Sequence, residues 1–136
     1  LLVKVLPYHP FLVKPNNHEL GDIFGVKLST REEVVPYGRK LQEMGAQNVL
    51  ISMAGEGAVL IAADGQSMGA PAPKGTLVNG VGAGDSMVAG FLTGWMEKKD
   101  YVHAFHMGIA AGSASAFSEN LATREEVLQV LQQVEQ

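Results

Sequence analysis

Gly75-Thr76-Leu77-Val78-Asn79-Gly80-Val81-Gly82-Ala83-Gly84-Asp85 is a glycine-rich run that leads without a break into Ser86-Met87-Val88-Ala89-Gly90-Phe91-Leu92. The first part has the composition of a loop. The second opens a helical period, with Met87, Val88, Phe91, Leu92, Trp95 and Met96 expected on one core-facing stripe. Where a loop ends in a helix, unpaired N–H groups and the positive end of the helix dipole face outward, and glycines let an anion approach the backbone closely. Asp85 falls in the first turn of that helix, where a carboxylate can accept a proton from an attacking hydroxyl. An anion cradle beside a base is the pairing that phosphoryl transfer needs. On pattern alone the same residues also suit a tight turn followed by a favourable first-turn charge.

Upstream, Phe11-Leu12-Val13 is a short apolar run that stops at Lys14-Pro15-Asn16-Asn17, as a buried strand would on leaving its sheet into a turn and a short helix. Thr30 and Glu33 have the spacing of a capping box for a helix running toward Met44, with Gly45 as its stop. Pro36 lies inside that helix and is expected to kink or split it. Asn48 to Met53 reads as a second buried strand. Ala58–Ala63 and Gln66–Ala70 flank Asp64-Gly65, the signal of a two-residue hairpin turn. Downstream, a helix is expected from about Asp100 to Phe117, where Gly108, Ala110, Ala111, Gly112, Ala114 and Ala116 permit close packing. Thr123 with Glu126 would cap a last helix whose face is Val127, Val130, Leu131 and Val134. Strand, helix, strand, hairpin, loop and three helices predict an α/β layered fold, a partly parallel sheet flanked by helices. Ligands in such folds gather at the strand C-terminal ends.

The 136 residues suit one modest domain with a real core, and 46% apolar against 18% charged residues is a globular balance. A net charge of −4 and no basic run give no footprint for nucleic acid. There is no cysteine, which removes disulfides and thiol metal sites and fits a reducing cytoplasm. No apolar stretch approaches the roughly 20 residues that span a bilayer, so no membrane partner is expected. The chain opens at Leu1 inside an apolar pattern, without an initiator Met, and is expected to be a piece of a longer protein.

Two common nucleotide motifs do not fit. The glycine loop lacks the Lys-Ser/Thr of a Walker A sequence, and Gly55-Glu56-Gly57 leads into a strand-like run where a dinucleotide fingerprint needs a helix. Residues 78–91, VNGVGAGDSMVAGF, instead resemble the C-terminal signature of the PfkB (ribokinase-like) sugar kinases, nearest to the 1-phosphofructokinase branch. The resemblance covers essentially the whole chain and implies the C-terminal nucleotide-binding and catalytic portion, 1–136, of a partial ribokinase-like fold, with the N-terminal half and lid absent. It implies that Asp85 is the catalytic base and that Gly82, Ala83 and Gly84 supply the anion hole. Lys14-Pro15-Asn16-Asn17-His18-Glu19 is similar to the family's KPNxxEL segment, which implies that Asn16 and Glu19 help organise Mg²⁺ and its water. Asn16 as a helix cap with Glu19 as capping partner is compatible with that role.

Residues 52–58, SMAGEGA, resemble the strand-end loop that touches the nucleotide, implying contacts from Ser52, Gly55 and Gly57, and Asn120 lies where relatives shape the adenine pocket. The implied activity is ATP-dependent phosphorylation of a sugar phosphate, fructose 1-phosphate foremost, with tagatose 6-phosphate or nucleotide binding without catalysis as alternatives. A homodimer of the full-length protein and a cytoplasmic location are implied with it. Two positions depart from relatives. Gly80 stands where 1-phosphofructokinases tend to carry Ser or Thr, which weakens the expectation for the loop's phosphate contacts. Asn79 stands six residues before Asp85, where cation-binding ribokinases carry Asp, so no monovalent cation site is expected.

His103 and His106 could present two imidazoles from one helix, but no third ligand is near in sequence, and a half-exposed helix face is the better reading. Glu32, Glu33, Glu125 and Glu126 read as solvated first-turn charges, and Trp95 as core.

Overall fold

In the computed structural model, which describes residues 2–53, 56–71, 83–117 and 124–135, the two apolar runs upstream pair as parallel strands, β1 (Leu12–Val13) and β2 (Asn48–Ser52). The hairpin β3 (Ala58–Ile61) and β4 (Ser67–Ala70) extends the sheet antiparallel, in the order β1-β2-β3-β4. The expected partly parallel sheet with a hairpin is present. A short helix α1 (Leu2–Val5) and a 3-10 turn over Leu6–Tyr8 precede β1, and α2 (Asn17–Phe24) and α3 (Arg31–Glu43) make the crossover from β1 to β2. The chain divides into two compact units, Leu1–Pro71 and Ala72–Gln136.

In the first unit the core is built from Leu6, Val13, Leu20, Val34, Leu41, Val49, Ile51, Val59 and Ile61, all nearly or wholly removed from solvent. Burying side chains of this kind contributes about 1.5–3 kcal/mol each. Leu50 and Leu60 alternate onto the opposite face of the sheet and are equally buried. Both faces of β2 and β3 are therefore covered, as their unbroken apolar sequences require.

Two expectations need correction here. Pro36 does not split α3, which runs unbroken from Arg31 to Glu43. Its ring removes one donor, but the Thr30–Glu33 capping box fixes the start of the helix, and Val34, Gly38 and Leu41 bury one face of it. Gly38 marks the close contact: a β-carbon there would stand 2.7 Å from Ile61 Cγ1. The hairpin loop, in turn, holds three residues rather than two. Ala62 N–H bonds to Gln66 O and Gly65 N–H to Ala62 O, leaving Ala63, Asp64 and Gly65 in the loop. A two-residue type I′ turn needs positive φ at both centres. Only Gly65 has it, at 94°, while Asp64 stays at negative φ and its carboxylate accepts from Gln66 N–H at 3.0 Å.

The second unit is helical: α4 (Ala83–Lys98), α5 (Tyr101–Phe117) and α6 (Arg124–Glu135). Asp100 caps α5, accepting from Val102 N–H at 2.8 Å. The connection between α4 and α5 is so short that the two helices pack as a hairpin. The expected stripe on α4 is only partly right. Phe91 is fully buried, but Leu92 is 38% and Met96 74% exposed. The contact with α5 is made through small residues instead: a β-carbon on Gly90 would lie 2.6 Å from Ala111 Cβ, and one on Gly108 3.0 Å from Met87 O. Such close approach rotates the buried face of α4 toward Gly90, Phe91 and Gly94. Trp95, expected in the core, is half-buried and stacks on Tyr101 with ring centroids 4.3 Å apart. On α6, Leu131 is buried and Val127, Val130 and Val134 are half-buried, as the period predicts. The cap expected from Thr123 and Glu126 lies outside the described residues. Among the described residues, no helix is long and apolar enough to cross a membrane.

Candidate functional site

The C-terminal ends of the two parallel strands define one end of the sheet in the first unit. Past Val13 the chain stays beside β2 for three more residues: Pro15 O accepts Ser52 N–H at 3.1 Å, and Asn16 forms an isolated parallel bridge with Ser52. Ser52 pairs across its other side with Ala58. Asn16, Ser52 and the start of β3 thus stand side by side, which sequence order alone did not show.

Asn16 is the N-cap of α2, with φ −86° and ψ 173°. Its Oδ1 accepts Glu19 N–H at 2.7 Å, and Glu19 Oε1 accepts Asn16 N–H at 2.9 Å, a complete capping box. Asn17 Nδ2 donates to Leu28 O at 2.8 Å and holds the helix start against the segment that leads to α3. Glu19 is exposed and Asn16 half-buried. The donor set is a carboxylate and an amide carbonyl, hard oxygens of the kind Mg²⁺ takes while keeping most of its own water. Those groups fit a magnesium held largely through water. Among the described residues no three carboxylate, imidazole or thiol groups cluster as a metal cage.

Gly57 closes the turn that follows β2. Its φ is +95°, a conformation that costs a side-chain-bearing residue strain, and its carbonyl accepts Met53 N–H at 2.9 Å. Gly55, expected as a second nucleotide contact, lies outside the described residues, as do Gly82, Asn120 and the departures at Asn79 and Gly80.

At the other candidate position, Ala83 and Gly84 are the first two residues of α4, where loop had been expected, and Asp85 is the third. The first N–H groups of a helix have no partner within it and face outward with the dipole. Asp85 is exposed at that end. The first turn of α4 thus carries a solvent-facing carboxylate at the end toward which the helix dipole is positive.

His103 Nε2 lies 3.2 Å from Glu97 Oε1, tying α5 back to the end of α4. Glu33 is more than a solvated charge. Its Oε1 accepts N–H groups from Ser29 at 3.0 Å and Thr30 at 2.9 Å, and these bonds hold its carboxyl below the usual glutamate value. The residue that sequence reading missed is Asn48, taken only as the start of a strand. It is the one buried polar side chain among the described residues. An Asn opening an otherwise apolar run was the available signal.

Residues 2–128 match the sequence profile of the pfkB family carbohydrate kinases. A 1-phosphofructokinase from Bacillus subtilis is 52% identical over 133 residues, covering 98% of this chain and 44% of the relative. A D-tagatose-1-phosphate kinase from Bacillus licheniformis is 35% identical over 136 residues, again 44% of its length. Among solved structures, phosphofructokinase-2 from Escherichia coli, in complex with substrates and products, superposes with a TM-score of 0.89 at 25% identity, covering 99% of this chain and 45% of that one. A plant ribokinase from Arabidopsis thaliana shares the fold at a TM-score of 0.77. The chain spans less than half the length of these relatives. With its signature at the start of α4 and its capped strand end in place, the chain belongs to the pfkB family of carbohydrate kinases.

Proposed function

We propose that the protein containing this chain transfers the terminal phosphoryl group of ATP to a hydroxyl of a sugar phosphate, and that this chain is its C-terminal nucleotide-binding and catalytic portion. The observation that supports it most is Asp85, which is exposed in the first turn of α4. In the reaction the acceptor hydroxyl gives its proton to the Asp85 carboxylate as its oxygen bonds to the γ-phosphorus. The bond from that phosphorus to the β,γ-bridging oxygen breaks, and ADP leaves. N–H groups of Gly82, Ala83 and Gly84 would meet the charge on the transferring group. Ser52, Gly55, Gly57 and Asn120 would hold the nucleotide. Asn16 and Glu19 would hold Mg²⁺ through water, and the ion when bound would neutralise phosphate charge.

Fructose 1-phosphate is the preferred acceptor, on the strength of the 52% identity to a 1-phosphofructokinase. The tagatose alternative shifts from the 6-phosphate to the 1-phosphate, because the tagatose relative is a D-tagatose-1-phosphate kinase. Fructose and tagatose differ only at C4, so a comparison of kcat/KM for the two 1-phosphates separates them. A cytoplasmic location and a homodimer of the complete protein go with this reading.

The deciding experiment is Asp85→Asn in the complete protein, assayed with fructose 1-phosphate and Mg·ATP alongside calorimetry with Mg·ADP. We expect kcat to fall by about 10²–10⁴ while Mg·ADP affinity stays within about threefold. A rate that survives the substitution would make Asp85 a helix-start charge only, and binding without turnover in the unsubstituted protein would favour a nucleotide-binding module.

A further inference from the structure

From Ser86 to Met96, helix α4 carries no charged residue. Its charges are confined to Asp85 in the first turn and to Glu97 and Lys98 at the end. A helix covered on every side would explain such a run. Yet only one side of α4 is covered. Gly90, Phe91 and Gly94 are buried, while Ala89, Leu92, Thr93 and Met96 are exposed, Leu92 at 38% and Met96 at 74%. The exposed side of α3, by comparison, presents Glu32, Glu33, Lys40 and Glu43, as a face that stays in water does.

The uncharged face lies in line with Asp85. At 3.6 residues per turn, Asp85, Ala89, Leu92 and Met96 fall within an arc of about 60° and extend about 16 Å along the helix. Asp85 is exposed with them. If Asp85 is the base, the acceptor hydroxyl has to reach it from this open side, and so does the part of the protein that holds the acceptor. The chain covers only 44% of its 1-phosphofructokinase relative, so more than half of a protein of that length is available to cover the strip. Burial of the strip removes apolar surface from water, and the unbranched Met96 side chain adapts to an uneven partner surface. A second copy of this chain laid on the same strip would bring no acceptor to Asp85.

We propose that the exposed face of α4, formed by Ala89, Leu92, Thr93 and Met96, is the docking surface for the N-terminal portion of the complete protein, and that this contact brings the acceptor site to Asp85. The inference rests on the reading of this chain as the C-terminal portion of a sugar-phosphate kinase. One helix then serves both ends: its first turn meets the acceptor, and the next three turns or so hold the portion that carries it.

The test uses the complete protein. Methionine oxidation by dilute hydrogen peroxide is followed residue by residue by mass spectrometry, in the folded protein and in urea. Met53, 4% exposed, supplies the behaviour of a buried methionine. Met96 is expected to oxidise at least about fivefold more slowly in the folded protein than in urea. A smaller slowing would overturn the proposal. So would protection that disappears on dilution of the protein, which would identify a second copy as the occupant. Met96→Lys is expected to raise the sugar-phosphate KM about fivefold or more while the KM for Mg·ATP stays within about twofold. Should that variant not fold, Met96→Gln, of similar length, takes its place. An unchanged sugar-phosphate KM, or an equal rise in both, would remove the link between this face and the acceptor. Asp85→Asn in the same protein keeps the two ideas apart. Loss of its rate with an unprotected Met96 leaves the kinase reading and removes the docking face. A retained rate with a protected Met96 removes the kinase reading and, with it, the acceptor's part in the proposal.

Discussion

Glu33 shows how one exposed side chain can govern the start of a helix. Its carboxylate takes two N–H groups and Thr30 Oγ1 accepts the Glu33 N–H at 3.2 Å, so three donors near the start of α3 are satisfied by one residue pair. Because those bonds favour the charged form, the folded-state value lies below the unfolded 4.5. The stabilisation is therefore complete above the unfolded value and is lost as the pH falls through the folded one. Between about pH 6 and pH 3 the melting temperature of the protein should fall more steeply than that of Glu33→Gln, which keeps an acceptor oxygen but cannot titrate. Parallel slopes across that range would show that the box contributes nothing pH-dependent. The spacing of Thr30 and Glu33 was readable from the chain, as was that of Asn16 and Glu19, because a capping box is local and its geometry follows from three residues of separation. Asn48 was not readable, since its partners Phe11 and Ala63 lie 37 and 15 residues away.

Elements differ in how far local pattern decided them. α4 and α5 were both expected, α5 with nearly correct ends, but the contact face of α4 was misread. Apolar periodicity selects the largest side chains, whereas these two helices meet where side chains are smallest. Gly90 makes this testable: a β-carbon there would stand 2.6 Å from both Ala111 Cβ and Met107 O. Gly90→Ala should therefore destabilise the protein by about 1–3 kcal/mol despite the better helix propensity of Ala, read as a lower urea midpoint. An unchanged or raised midpoint would mean that the helices separate without penalty. Pro36 is the opposite case, a local breaker overridden by the packing of α3 on Ile51 and Ile61. In the hairpin, the turn residues were identified correctly, and the loop length was set by the φ that Asp64 adopts.

For the whole molecule, the limiting fact is that the chain covers less than half of its relatives. A transferase must hold donor and acceptor together and exclude water from the reacting phosphoryl group. On the proposed function, the chain by itself is expected to turn over fructose 1-phosphate at least about 10³-fold more slowly than the complete protein, measured as kcat/KM under identical conditions. Comparable rates would show that the acceptor site lies within these 136 residues. Calorimetry of the isolated chain with Mg·ADP, and with NAD as control, separates a self-sufficient nucleotide site from one that needs the rest of the protein.

Sequence alone determined the class of fold, the order of its elements from β1 onward, both capping boxes and the signature that contains Asp85, because each is written in short-range spacing. Tertiary structure decided the register that sets Asn16 beside Ser52, the face on which α4 meets α5, and the survival of α3 through Pro36. Each of those depends on groups distant in the chain that compete for the same space or the same hydrogen bond, and short-range spacing carries no record of that competition.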